Sequence, residues 1–397
     1  MRGCAFGGRE CVMRSLSDTL KRLSALAAER AAAPKPVAAG RLKSLAAFGA
    51  NPGALAAKTY IPDDLARGAP LVVVLHGCTQ NAEGYDRGSG WSQLADRYGF
   101  ALLFPEQKRA NNPNLCFNWF LPGDSRRDRG EALSIRQMIA TVVNEHGLDP
   151  SRIYVTGLSA GGAMASVLLA SYPELFAGGA IIAGLPYGTA STIPEAFDRM
   201  RGHNLPGEVE LSRLVRAASS HGGPWPTISI WHGSADATVD PANAAAIASQ
   251  WRAVHGVATQ PSRVETVDTY PRRVWSDAAG RDVIEEYSIT GMGHGTPLGT
   301  DGEQGCGEAG AYMLEAQISS THHIARFWGL DGKTKGRAAM ASAPAEPLAA
   351  NGRRSAARLP TLEGRRAQPI GRTPGATPVN QIGKVIEDAL RAAGLMR

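Results

Sequence analysis

Short, continuously apolar segments alternate with helical patterns over residues 58–330, and this alternation constrains the fold more than any other feature. Because the apolar segments lack the alternating polar positions of a half-exposed strand, we expect strands that are covered on both faces. Strands that alternate with helices predict an α/β fold, with a mainly parallel sheet and helices on both faces. The predicted strands are 71–75, 101–104, 153–156, 179–182, 228–231 and 284–289, and the predicted helices are 90–98, 131–146, 162–172 and 241–255.

The composition changes on both sides of this region, which divides the chain into four predicted parts. Large apolar residues almost disappear after residue 330, and such a segment cannot bury enough surface to offset the entropy lost on ordering. Near the end, Thr377 and Pro378 are suited to begin a helix. The four parts are an N-terminal amphipathic helix with a linker (1–54), the α/β domain (55–330), a disordered basic segment (331–376) and a C-terminal amphipathic helix (377–397).

The net charge of +6 is concentrated in the last part of the chain. Residues 331–397 hold 12 Lys and Arg against 5 Asp and Glu, while the rest holds 30 basic and 31 acidic residues. The α/β domain is therefore electrically balanced, and we expect no nucleic-acid partner. The basic tail and its helix are the parts that could dock the protein to a granule or a surface.

The N-terminal residues and the cysteines bear on the cellular compartment. Charges are scattered through the first 30 residues, so no continuous apolar segment typical of a secretory signal peptide is present, and Met13 is an alternative start to Met1. Five cysteines at irregular spacing fit neither a disulfide scaffold nor a zinc site. These observations predict a reducing, cytoplasmic location, with one isolated disulfide left open.

A Gly-x-Ser-x-Gly sequence lies between a predicted strand and an Ala-rich predicted helix, and it is centred on Ser159. This strand–turn–helix setting is typical of a nucleophile elbow. The turn is tight, so Gly157 and Gly161 must lack bulky side chains, and Ser159 is expected to be strained. The helix N-terminus favours developing negative charge. We predict Ser159 as a nucleophile, and a purely structural turn is the alternative.

A serine hydroxyl needs a base to become a good nucleophile, and His294 is the candidate among nine histidines. It lies in a glycine-rich loop directly after the last predicted strand, where this topology requires the base. For His76 and His232, each of which precedes a glycine at the end of a predicted strand, a role in loop hydrogen bonding is a better explanation than a role as the base. His322 and His323 fall in a helical stretch, where packing or solvent exposure explains them.

The third catalytic group should orient the imidazole and should lie between the serine and the histidine in chain order. Asp236 follows the predicted strand 228–231 on a loop and meets both conditions. Asp240 is the alternative, but it immediately precedes Pro241 and a helix, where an N-cap role explains it.

Acyl transfer also requires two donors for the oxyanion of the transition state. The backbone N–H of Ala160, directly after the nucleophile, is one candidate. The loop after the first long strand supplies the other, and there we predict the backbone N–H of Cys78.

Several segments together resemble the polyhydroxybutyrate depolymerase family of esterases, which includes feruloyl- and acetylxylan-esterase-like members. The resemblance implies an α/β-hydrolase fold and carries the triad onto Ser159, Asp236 and His294. It also suggests a disulfide between Cys78 and Cys116 and a place for Trp119 in the acyl-binding region, although a core position for Trp119 stays open. The segments are LVVVLHGCTQ, NLCFNWF, RIYVTGLSAGGAMA, WHGSADATVDPANA and GMGHGTP.

The resulting hypothesis is a serine esterase that cleaves small, oligomeric or polymeric carboxylic esters through an acyl-enzyme, without a metal or organic cofactor. Esterases acting on feruloyl or acetyl side chains of polysaccharides are an alternative, as is an acyltransferase with the same triad. A granule-binding scaffold without activity is disfavoured, since a scaffold does not need a complete triad. The family resemblance leaves an extracellular location open, and nothing in the sequence decides the oligomeric state.

Overall fold

A ten-stranded sheet is the centre of the fold in the computed structural model, which describes residues 40–302 and 304–332. The predicted terminal helices and the disordered basic segment lie almost wholly outside these residues. The strands of the sheet are β1 (Lys43–Ser44), β2 (Ala56–Tyr60), β3 (Leu71–Leu75), β4 (Ala101–Glu106), β5 (Ile153–Leu158), β6 (Gly178–Ile182), β7 (Thr227–Gly233), β8 (Arg263–Val267), β9 (Tyr270–Ser276) and β10 (Asp282–Ile289). Two short strands, β11 (Thr296–Leu298) and β12 (Met313–Glu315), pair separately.

Helices fill most connections between the strands. They are α1 (Ala82–Ser89), α2 (Trp91–Tyr98), α3 (Pro122–Ser125), α4 (Gly130–His146), α5 (Ala160–Ser171), α6 (Ile193–Met200), α7 (Glu208–Ala218), α8 (Ala242–His255) and α9 (Ser320–Phe327).

The middle of the sheet is parallel and its two edges are antiparallel. The strand order is β1-β2-β4-β3-β5-β6-β7-β10-β9-β8, and every pair from β4 to β10 is parallel. The six strands predicted from apolar segments are these six parallel strands. The edge strands were not predicted, because β2 alternates between buried and half-buried residues and β8 is mostly exposed.

Each central strand is buried on both faces, as the sequence predicted. In β3, Leu71, Val73 and Leu75 join the apolar core that contains residues of α4, α5 and α8. The intervening Val72 and Val74 join a second core with residues of α1, α2 and α9. The prediction of a mainly parallel sheet with helices on both faces is therefore confirmed.

The packed region begins upstream of the predicted boundary at residue 55. Leu42 and Phe48 are already buried in the two cores, and Lys43 pairs with Thr59 across β1 and β2. At the other end, Leu330 is buried at the predicted limit of the domain. No helix within residues 40–302 and 304–332 has the length and apolar character of a membrane span.

Candidate active site

Ser159 occupies the tight turn between β5 and α5. Its backbone φ is 57°, a value that residues other than glycine rarely adopt. Its N–H donates to the carbonyl of Ile182 at 2.9 Å. A Cβ on Gly161 would run into the backbone carbonyl oxygens of Leu75 and His76. The backbone therefore leaves no room for a side chain at Gly161, and it holds Ser159 in the strained conformation that the sequence pattern predicts.

Asp236 and His294 meet beside this turn. His294 Nδ1 lies 2.7 Å from Asp236 Oδ2, while Asp236 Oδ1 accepts from the N–H groups of Thr238 at 2.8 Å and Val239 at 2.9 Å. Burial raises the pKa of Asp236, but hydrogen bonds and the histidine charge outweigh it and hold the pKa well below its usual range. Asp236 therefore stays ionised and accepts the Nδ1 proton of His294 in a hydrogen bond, which leaves His294 Nε2 as the basic nitrogen.

A second histidine, His232, lies against the same carboxylate. Its Nε2 is 2.8 Å from the carbonyl oxygen of Val239 and 3.4 Å from Asp236 Oδ2. The shorter distance identifies Val239 as the main hydrogen-bond acceptor. The predicted loop role of His232 is therefore accompanied by a contact with Asp236 that the sequence did not indicate.

Asp240 lies at the start of α8. Its Oδ1 accepts from the N–H of Ala242, the first residue of α8, at 2.8 Å, so its carboxylate satisfies a free N–H at the start of the helix.

Three other histidines, His76, His322 and His323, take structural positions. His76 Nδ1 is 2.8 Å from the carbonyl oxygen of Gly77. His322 and His323 belong to α9, where His323 Nε2 lies 2.8 Å from Asp268 Oδ2 and His322 is buried. These positions agree with the loop and packing roles expected for them.

A small cavity brings the separate segments together. Its volume is about 30 Å³, and Ser159, His294 and Cys78 all line it. Ala160 is the first residue of α5, where N–H groups have no partner within the helix. Sequence reasoning singled out none of the other lining residues. Met200 and Tyr312 come from segments without a catalytic motif, whereas the rest are neighbours of predicted site residues; these are Gly77, Thr79, Gln80, Leu158 and Thr238.

Trp119 does not line this cavity. Its side chain is 8% exposed, and it packs in the apolar core with its ring centroid 5.3 Å from that of Phe120. Asn118 donates to Glu131 on α4 and holds this segment against the core. The structure therefore places Trp119 in the core, the position that the sequence left open beside a role in the acyl-binding region.

Cys78 and Cys116 form a disulfide, the pairing that the family resemblance suggests. It joins the loop after β3 to the segment after β4. Cys306 is buried and free. Within the described part of the chain, no group of three or more His, Cys, Asp or Glu side chains is arranged to hold a metal ion.

Comparisons with known proteins find relatives among named esterases and a depolymerase. A model of the family described as Esterase PHB depolymerase matches residues 55–268. Poly(3-hydroxyalkanoate) depolymerase C of Paucimonas lemoignei is 46% identical, over 73% of this chain and 70% of that protein. A probable acetylxylan esterase A of Aspergillus fumigatus is 30% identical, over 74% of this chain and 80% of that protein.

A solved esterase structure is similar to this chain in its fold. The acetyl xylan esterase from Aspergillus awamori matches with a TM-score of 0.60 and 28% identity, over 64% of this chain and 94% of that chain. The predicted resemblance, fold class and enzyme class are confirmed. The chain belongs to the esterase PHB depolymerase family and is a carboxylic-ester hydrolase with an α/β-hydrolase fold.

Proposed function

We propose that Ser159 is the nucleophile of this esterase, with His294 as its base and Asp236 as the group that orients the base. The observation that carries the proposal is the 2.7 Å contact between His294 and Asp236 beside a cavity that Ser159 also lines. The chain order Ser, Asp, His is the order that this fold uses for such a triad.

The mechanism is a two-step acyl transfer. His294 Nε2 takes the proton of Ser159 as its oxygen attacks the ester carbonyl, and the N–H groups of Cys78 and Ala160 stabilise the oxyanion. The imidazolium then gives its proton to the leaving alcohol, which leaves an acyl group on Ser159. Water repeats the sequence and releases the acid.

We infer that the preferred acyl group is short, as in oligomers of hydroxyalkanoic acids. The cavity of about 30 Å³ supports this, because pockets that enclose a drug-sized ligand usually measure roughly 300–1,000 Å³. The relative at 46% identity is named as a poly(3-hydroxyalkanoate) depolymerase, which also supports a hydroxyalkanoate ester as the substrate. Acetyl esters of polysaccharides are the second candidate, because acetylxylan esterases are also among the relatives and the acetyl group is small. A feruloyl group fits this cavity less well.

One substrate panel tests the acyl preference. It compares short and long nitrophenyl esters, hydroxybutyrate oligomers, amorphous polymer, acetylated xylan and feruloyl sugars, with Ser159→Ala as the blank. We expect the highest kcat/KM for hydroxybutyrate oligomers and short esters. Faster cleavage of feruloyl sugars or long-chain esters would contradict a short acyl group. Adding alcohol acceptors and analysing the products separates hydrolysis from acyl transfer.

We propose further that the protein works in an oxidising compartment, which reverses the cytoplasmic expectation. The Cys78–Cys116 disulfide supports this, because such bonds persist mainly outside the reducing cytosol. Alkylation of free thiols in the producing cells, followed by mass spectrometry, should find both cysteines protected. Full alkylation of both before reduction would contradict the proposal.

Docking through the basic tail is a separate proposal, supported by its 12 Lys and Arg against 5 Asp and Glu. Sedimentation with polymer granules should retain the full chain more strongly than a chain that ends at residue 332. Equal retention of the two chains would argue against docking by the tail.

A further inference from the structure

A buried carboxyl group, Glu131, lies in the first turn of α4 and is only 1% exposed. Its Oε1 accepts from Gln107 Nε2 at 2.6 Å and from Asn118 Nδ2 at 2.9 Å, and its Oε2 accepts from the Asn118 N–H at 2.9 Å. Within the described residues it forms no ion pair with Lys or Arg. A buried carboxyl group without a cation costs stability, so its position calls for an explanation.

Gln107 links Glu131 to His76, at the start of the loop after β3. Its Nε2 also donates to the carbonyl of Cys116 at 3.0 Å. Its backbone N–H donates to His76 Nε2 at 3.1 Å. Because His76 Nε2 accepts a hydrogen bond, the ring proton must lie on Nδ1. Burial lowers the pKa of His76, which keeps this ring neutral.

The protonated Nδ1 of His76 donates to the carbonyl oxygen of Gly77 at 2.8 Å. This oxygen belongs to the same peptide unit as the N–H of Cys78. Since a peptide unit is planar, fixing the direction of the Gly77 carbonyl also fixes the direction of the Cys78 N–H. The disulfide restrains the Cys78 side chain, but it does not by itself set the rotation of this peptide plane.

We propose that Glu131, Gln107 and His76 are positioning residues that together aim the Cys78 N–H at the developing oxyanion. The inference rests on the proposed role of Cys78 as an oxyanion donor. Such a donor must point to where the charge develops in the transition state, and a rotated peptide would lose most of its effect.

The test compares a nitrophenyl ester with the matching thionoester, in which sulfur replaces the carbonyl oxygen. Sulfur accepts hydrogen bonds poorly, so the ratio of the two kcat/KM values reports on the oxyanion donors. Because both substrates meet the same enzyme sample, the ratio does not depend on how much of a variant is folded. A variant that is only partly folded therefore still gives a usable ratio.

We expect Glu131→Leu and His76→Leu to lower the ester-to-thionoester ratio by about tenfold, part of the roughly 10²–10³-fold effect of a lost oxyanion donor. His76→Asn should keep a ratio near that of the native protein, because its amide N–H can replace the Nδ1 donor. Glu285→Leu is the matched control: Glu285 is also a 1% exposed glutamate, but it binds Ser229 and Arg272 in the sheet. Its ratio should stay unchanged.

The failures of the two proposals can be told apart. An unchanged ratio in both leucine variants overturns the positioning role of Glu131 and His76. A native protein whose ratio equals that of alkaline hydrolysis in water would instead remove the oxyanion role of Cys78.

Discussion

One carboxylate, that of Asp236, organises the proposed active site. It meets two histidine rings and two backbone N–H groups, so both of its oxygens are fixed. Chain order and loop position led to the choice of Asp236 and His294, and the structure places these two side chains in contact. The contact with His232 could not be predicted, because it depends on how a strand-end side chain folds back over its own loop.

The first prediction concerns the two aspartates on this loop. Asp236→Asn should lower kcat by a factor on the order of 10⁴, because an amide would favour the wrong tautomer of His294. Asp240→Asn is the control and should stay near the native kcat, since the Asp240 carboxylate accepts from the first N–H of α8. Steady-state kinetics on a short nitrophenyl ester measures both. A larger loss in Asp240→Asn would show that the wrong carboxylate has been chosen.

The second prediction concerns Glu131, whose burial, with the nearby charge of Asp124, raises its pKa from 4.5 to about 8. Between these values the folded protein keeps a proton that the unfolded chain has lost. The native protein should therefore lose stability relative to Glu131→Leu as pH rises from 4.5 to 8, by up to about 1.4 kcal/mol per pH unit. Urea unfolding of both proteins across this range measures the change, and a constant difference would contradict it.

At the scale of elements, the buried parallel strands could be predicted because their apolar runs are continuous. The strand that carries Ser159 was recognised in this way, together with the turn and helix that follow. The edge strands could not be predicted, since they are partly exposed and lack a long continuous apolar run. In β9, for example, the consecutive residues Arg272 and Arg273 form ion pairs with Glu285 and Glu286 of β10.

The third prediction concerns the turn between β5 and α5. Gly161→Ala should lower the free energy of unfolding by about 1–3 kcal/mol and reduce kcat, because the new methyl group would displace the backbone at Leu75 and His76. Gly207→Ala is the control, since no atom lies within 4 Å of the added carbon and φ there is −70°. Chemical denaturation and ester kinetics measure both effects. Equal stability of the two variants would mean that the turn tolerates a side chain.

The fourth prediction concerns the disulfide that joins the loops after β3 and β4. Its cysteines are 38 residues apart, and Cys116→Ala should therefore lower the free energy of unfolding by about 2–4 kcal/mol. Adding a reductant to the native protein should have a similar effect and should leave Cys116→Ala unchanged. Cys306→Ala serves as a control for reductant, because Cys306 forms no disulfide and its variant should still respond.

At the scale of the whole molecule, the sequence was sufficient for the fold class and the family. The sequence was not sufficient to predict which residues line the cavity. Met200 ends α6 and Tyr312 precedes β12, and only the folded chain brings these two residues beside Ser159. For the same reason the sequence left two positions open for Trp119, since its packing in the core depends on hydrogen bonds between Asn118 and Glu131.

The most direct test of the central claim is to label the full chain with a fluorophosphonate and to locate the label by peptide mass spectrometry. The account predicts one phosphonyl group, on Ser159, and loss of ester hydrolysis in step with labelling. Ser159→Ala should remain unlabelled and keep only about 10³–10⁴-fold catalysis over water. Inactivation with the label on another residue, or hydrolysis by Ser159→Ala at nearly the native rate, would contradict the assignment of Ser159 as the nucleophile.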